Sequence, residues 1–161
     1  ALVQGLKTGQ RPSPGLDKPG QVGWHELHAA DWQKAFAFYG ELFGWKRADA
    51  RIGPGDGYQL FSAGGQMIGG MSTKRRTDPV PYWVYYINVD DIDAAMERVK
   101  TAGGRIFENP VQTPGGSWIV RCGDPQGAAF ALHGKRNQDA VGWSTEWGEF
   151  SSKGRLVTPP R

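Results

Sequence analysis

A spacing of 59 residues recurs along the chain and constrains its fold more than any single motif. Trp24 and Trp83, Asp31 and Asp90, Ala35 and Ala94, and Gly44 and Gly103 stand 59 positions apart, and Lys46 matches Arg105 in charge. The matches fall at strand starts, helix caps and helix stops, where a duplicated supersecondary unit has to agree with itself. Each half also gives the same order of elements. Residues 23–30 read as a strand, and Asp31 suits a helix N-cap because its carboxylate can accept from the first orphan amides. Trp32, Ala35, Phe36, Tyr39, Leu42 and Phe43 then form a helical stripe, which Gly44 ends. Strands are expected at 45–52, 58–63 and 66–73, divided by Gly- and Pro-rich turns. The second half repeats this: a strand at 82–89, a cap at Asp90 or Asp91, and a helix with Ile92, Ala95, Met96 and Val99 on one face. Gly103 stops that helix, and strands follow at 105–108, 117–122 and 128–133. Each unit is βαβββ and cannot bury its sheet alone. The sequence therefore predicts an α+β fold: two tandem βαβββ modules forming a curved, barrel-like mixed sheet around a cleft suited to a small molecule.

The modules are placed at 22–73 and 81–134 within one domain, 22–134. Residues 1–21, with Pro12, Pro14 and Pro19 among glycines, read as an N-terminal arm. Residues 135–161 read as a C-terminal extension, with Trp143, Trp147 and Phe150 as packing anchors. Composition excludes several classes of function. The net charge is +3 with no run of five or six like charges, so no footprint for nucleic acid appears beyond this slight bias. No stretch approaches the roughly 18 apolar residues of a membrane span. The first residues show no basic-then-apolar export pattern, and a single cysteine, Cys122, excludes an internal disulfide framework and a Cys-rich zinc site. A cytoplasmic setting is expected.

Strand alternation nominates the cleft residues. If Leu27 and Ala29 pack on the helices, Trp24, Glu26 and His28 face inward. By the same rule Val84, Tyr86 and Asn88 face in from the second module, and Ala129, Ala131 and His133 from the last strand. Trp24, Met71 and Trp118 are expected to frame the pocket, with Tyr86, Asn88 and His133 orienting a ligand. Glu26 and His28, two residues apart on one strand, can reach each other or a shared guest. Three readings stay open for them: acid–base catalysis, a metal site shared with His133, or a structural pair. His25 alternates to the other face, Cys122 reads as a small buried residue, and Lys74-Arg75-Arg76 as a solvated linker, with an anion site as the alternative.

Residues 22–134 resemble the vicinal oxygen chelate superfamily of glyoxalases, bleomycin-resistance proteins and extradiol dioxygenases. The resemblance is carried by Gly23-Trp24-His25-Glu26-Leu27, by Phe38-Tyr39-Gly40-Glu41-Leu42-Phe43-Gly44-Trp45, by Ile68-Gly69-Gly70-Met71 and by Asp124-Pro125-Gln126-Gly127-Ala128. It implies the two-module fold, a small-molecule partner and a homodimer. It also implies metal ligands on the first and last strand of each module, at Trp24, at Gly69 or Gly70, at Val84 or Trp83, and at Ala131. None of these side chains coordinates a divalent cation, so no metal or other cofactor is expected. The expected function is binding of a small organic molecule in an aromatic-lined cleft beside a degenerate metal site. The alternatives are a metal-independent lyase or isomerase using Glu26 and His28, and a metal-dependent lyase or dioxygenase with relocated ligands.

Overall fold

The computed structural model describes residues 16–52 and 57–136. Its first module runs β1 (Val22–Ala29), α1 (Trp32–Phe43), β2 (Lys46–Ile52), β3 (Tyr58–Ala63) and β4 (Gln66–Thr73). The second runs β5 (Tyr82–Asp91), α2 (Ile92–Thr101), β6 (Arg105–Ile106), β7 (Val111–Gln112), β8 (Trp118–Gly123) and β9 (Ala129–Lys135). All nine strands belong to one open, curved mixed sheet in the order β2-β3-β4-β1-β5-β9-β8-β6, with β7 also pairing β8. The order is nearly palindromic about the antiparallel β1–β5 pair. On either side of it lies a parallel neighbour, β4 beside β1 and β9 beside β5. The duplication seen as a 59-residue spacing thus becomes a pseudo-twofold in which the two first strands meet.

Local chemistry starts and stops the helices. Asp31 Oδ1 accepts from the amides of Gln33 and Lys34, both at 3.0 Å, and Gly44 takes the left-handed φ of 67° that closes α1. Asp91 caps α2 by accepting from Ala94 N at 2.7 Å. That helix ends at Thr101 with Ala102 as its cap, two residues before Gly103. The strand expected at 105–108 is shortened to β6 (Arg105–Ile106), and β7 (Val111–Gln112) is a further short strand not expected from the sequence; both are antiparallel to β8. Pro110, just before β7, has no amide to give to a ladder, and the gap between the two strands falls there.

Each helix seals its own core on the convex face. Leu27, Ala29, Trp32, Phe61 and Met71 are buried under α1, and Ile92, Ala95, Val120, Cys122 and Leu132 under α2. A third cluster, Val84, Tyr86 and Ala131, lies on the concave face and forms its floor. Removing such apolar surface from water contributes about 25 cal/mol per Å², which is what joins two modules that could not bury their sheets separately. In α1, Trp32 is buried and Ala35, Phe36 and Tyr39 pack on the core, but Leu42 and Phe43, expected in the same stripe, are 51% and 43% exposed. No helix among the described residues is long and apolar enough to cross a membrane. Most of the expected arm (1–15), and the expected C-terminal extension beyond residue 136 with Trp143, Trp147 and Phe150, lie outside the described residues.

Candidate functional site

The pairing registers decide which side chains share the concave face. Opposite residues in a ladder point the same way, so the β1–β5 partners Trp24 and Tyr86, Glu26 and Val84, and His28 and Tyr82 all face inward. Across β5–β9, Tyr86 lies beside Ala131 and Asn88 beside His133. The resulting cleft of about 1200 Å³ is lined by Trp24, Glu26, Tyr58, Tyr86, Asn88 and His133, among others.

Two of the nominated residues lie elsewhere. Met71 pairs with Leu27 in the parallel β1–β4 register and therefore shares its helix-side face, where it is fully buried in the α1 core. Trp118 alternates with Val120 and Cys122, which face α2, so it packs on that core with the Arg136 guanidinium 4.9 Å from its ring centroid. The inward positions of β8 are instead Ile119 and Arg121. His25 falls on the convex side as expected and bonds the Ile68 carbonyl through Nδ1 at 2.9 Å. Cys122 is buried, and burial pushes its thiol up to about 11.

Glu26 is the centre of a closed polar network. Its Oε2 accepts from the Tyr86 hydroxyl at 2.6 Å and from Arg121 Nη2 at 3.0 Å, and it lies 3.2 Å from His28 Nε2. Burial alone would raise the carboxyl pKa, but the hydrogen bonds from His28 and Tyr86 and the charges of His28 and Arg121 hold it below the usual carboxylate range. Burial next to this anion pushes the Tyr86 phenol up, so it stays a neutral donor. The Arg121 guanidinium is held above its ordinary value, burial being outweighed by Glu26. His28 Nε2 is also 2.9 Å from Arg121 Nη2, and its Nδ1 is 3.2 Å from Ser72 Oγ. Arginine only donates, so that contact uses the lone pair of Nε2 and sends Nδ1–H to Ser72. With the proton on Nε2 instead, His28 donates to Glu26 and Ser72 donates to Nδ1. Tyr82 stacks on His28 with centroids 4.8 Å apart.

A second set lies farther along the cleft. Trp24 Nε1 donates to Tyr58 Oη at 2.7 Å, and burial pushes the Tyr58 phenol well up. His133 bridges Asn88 Oδ1 at 2.9 Å and Ser117 Oγ at 2.8 Å, and burial lowers its pKa. Arg121, Tyr58, Ser72 and Ser117 escaped the sequence reading. The one signal for Arg121 was a lone charge inside the apolar run Trp118-Ile119-Val120-Arg121-Cys122, and only pairing reveals that it points inward.

The positions implied for metal ligands converge on this face but do not fit a metal. Gly70 and Val84 both flank Glu26 in register and face the cleft, whereas Gly69 and Trp83 face the helices. Trp24, Gly70, Val84 and Ala131 offer no oxygen, sulfur or imidazole donor. A Cβ at Gly70 would overlap the Tyr58 ring, so an aromatic ring fills the space of a ligand there. The relocated set fits no better. The Arg121 guanidinium already places a cation between Glu26 and His28, while His133 is engaged with Asn88 and Ser117. Among the described residues no three His, Cys, Asp or Glu side chains cluster closely enough to hold an ion.

A paired-module sheet curved around a cleft defines a class, and comparison with known proteins gives its family. A model of the Glyoxalase/Bleomycin resistance protein/Dioxygenase superfamily matches residues 21–132, and the chain belongs to that superfamily. It is 31% identical over 128 residues to the anthracycline biosynthesis protein DnrV of Streptomyces peucetius, covering 71% of this chain and 46% of that protein. It is 29% identical over 117 residues to the putative glyoxylase CFP32 of Mycobacterium tuberculosis, covering 73% and 45%. The chain thus spans about half the length of these curated relatives. Among solved structures it is similar to methylmalonyl-CoA epimerase from Mycobacterium tuberculosis, with a TM-score of 0.52 at 18% identity over 81% of this chain and 97% of that one. It is also similar to the Mn(II)-bound glyoxalase from Novosphingobium aromaticivorans, with a TM-score of 0.53 at 20% identity over 75% and 42%. These structures share the fold.

Proposed function

We propose that this chain binds a small organic molecule with a flat apolar face in the concave cleft, without a metal ion. The observation that carries this reading is the Trp24–Tyr58 pair. Two aromatic rings stand where a metal ligand and its neighbour would be, and their mutual hydrogen bond satisfies the indole N–H so that the ring faces can take a guest. Tyr86 and Ile119 extend the apolar surface, and Asn88 and Ser117, held by His133 between them, form the polar end of the cleft. The network around Glu26 argues for binding over acid–base catalysis. A carboxylate held low by three donors is ionised but a weak base, and it has little drive to take a proton from carbon. An enzyme that uses Glu26 and His28 as acid and base is the second reading. A pairing with a second copy through the exposed Phe38, Leu42 and Phe43 of α1 belongs to the first, with sedimentation as its measurement.

Because one relative is named for anthracycline biosynthesis, an anthracycline is the first probe, with a two-ring aromatic acid as the second. Titration should quench tryptophan fluorescence saturably at 1:1, and Trp24→Leu should abolish the change while the fold persists by circular dichroism. Saturable binding that Trp24→Leu leaves intact, or no saturable binding of either probe, would overturn the proposal.

A further inference from the structure

The polar chain at the far end of the cleft has a direction. Asn88 is held from three sides: its amide donates to Gln21 O at 2.9 Å, its carbonyl accepts from Gly20 N at 2.8 Å, and its Nδ2 donates to the Leu16 carbonyl. Gly23 leaves the room for this, since a Cβ there would overlap the Asn88 amide group. Leu16 O can only accept, so Nδ2 faces it and Oδ1 faces His133. Oδ1 in turn only accepts, which places the histidine proton on Nδ1. Neutral His133 therefore presents a lone pair at Nε2, and the Ser117 hydroxyl, 2.8 Å away, donates to it. The order Ser117 O–H to His133 Nε2, His133 Nδ1–H to Asn88 Oδ1 is the arrangement of a base-activated nucleophile with an oriented base.

The remaining geometry keeps Ser117 open. It follows the turn Thr113-Pro114-Gly115-Gly116, where Gly116 has φ +84° and its amide donates to Thr113 O at 2.9 Å. The turn brings Thr113 Oγ1 to 2.8 Å from Ser117 Oγ and 3.1 Å from the Ser117 carbonyl; with the Ser117 proton given to His133, the single Thr113 proton is donated to one of these two oxygens. With that contact and the bond to His133 made, Oγ keeps a lone pair, and the residue lines the cleft. Burial that disfavours the charged imidazolium keeps His133 in the unprotonated form a general base needs.

We propose that Ser117 is a nucleophilic serine, deprotonated by His133 and positioned through Asn88, that cleaves small activated acyl esters entering the cleft. Ser117 Oγ attacks the carbonyl carbon as its proton passes to His133 Nε2. The bond to the leaving oxygen breaks, and that oxygen takes the proton from His133, leaving an acyl-serine. Water then gives a proton to Nε2 and its oxygen to the acyl carbon, and Ser117 recovers its proton as the acid departs. No oxidant, reductant or co-reactant beyond water is needed.

The test is covalent labelling with an alkyl fluorophosphonate, in which the Oγ–P bond forms and fluoride leaves. Intact-mass spectrometry of the full chain should show a single adduct, mapped to Ser117 and absent from Ser117→Ala. His133→Gln should slow labelling roughly a hundredfold. Asn88→Asp, which keeps the acceptor, should label far faster than Asn88→Leu. p-Nitrophenyl acetate hydrolysis should follow the same order. An unlabelled Ser117 in the wild-type protein overturns the proposal whatever the variants do, and equal labelling of a folded His133→Gln overturns the role of the base. The adduct forms or fails whether or not an aromatic guest binds, so the result is separate from that of the binding titration.

Discussion

Arg121 Nη2 lies 3.0 Å from Glu26 Oε2, a contact between residues 95 positions apart that ties the first strand of one module to the penultimate strand of the other. The two do not neighbour each other in the sheet order; β5 and β9 lie between β1 and β8. They meet because the sheet curves, and inward side chains from separated strands converge above its floor. Arg121, together with Tyr86 and His28, engages the Glu26 carboxylate that lines the cleft.

Removing one partner of this pair should cost far more than a surface substitution. Glu26→Ala leaves a guanidinium whose side chain is only 26% exposed without its counter-charge. A destabilisation of about 3 kcal/mol is expected, read as a lower urea midpoint. Glu26→Gln, which keeps an acceptor for Tyr86, should lose less. A change under about 0.5 kcal/mol for Glu26→Ala, the range of surface substitutions, would show that the network carries no stability.

Stability should fall with acid in two windows. Burial lowers the folded-state pKa of His133, so below its ordinary 6.5 the unfolded chain binds a proton that the folded chain resists. The stability His133 contributes is complete above that value and lost as pH falls through its lower folded value. Glu26 is held below its ordinary 4.5, so its contribution is complete above 4.5 and is lost as pH falls further. Urea titrations between pH 8 and 3 should show both declines. Asn88→Leu should alter the upper one, and Glu26→Gln should remove its share of the lower.

Gly70→Ala should strain the cleft, because the new Cβ overlaps the Tyr58 ring. Overpacking of this kind costs about 1–3 kcal/mol. The double variant Gly70→Ala/Tyr58→Ala should recover part of the loss, giving a coupling energy of opposite sign to the single effects. Strict additivity in thermal unfolding would mean that the ring moves freely.

Trp24→His should not create a metal site. One imidazole meets no partner at Gly70, Val84 or Ala131, and three or four donors are needed to hold zinc. Calorimetric titration of the chelator-treated variant with zinc should show no stoichiometric binding. Tight binding would mean that Glu26 and His28 can leave Arg121 to complete a coordination shell.

The sequence by itself determined the two-module architecture, the caps at Asp31 and Gly44, and the inward set Trp24, Glu26, His28, Tyr86, Asn88 and His133. These follow from periodicity, capping chemistry and the strict alternation of a strand, all of which are local. It also determined that the implied metal positions lack donors, since that is a matter of residue identity. Tertiary structure alone decided what those residues touch. Met71 and Trp118 turned to the helix side because the register of β4 against β1 and the phase of β8 against α2 are set by pairing between distant strands. Arg121, Tyr58 and Ser117 came into the site the same way, from strands and a turn remote in sequence from Glu26, Trp24 and His133. Alternation says which residues of a strand share a face, but only the curvature of the assembled sheet says which faces of different strands meet, and the ionisation of Glu26 and the direction of the Ser117–His133–Asn88 chain depend on that meeting.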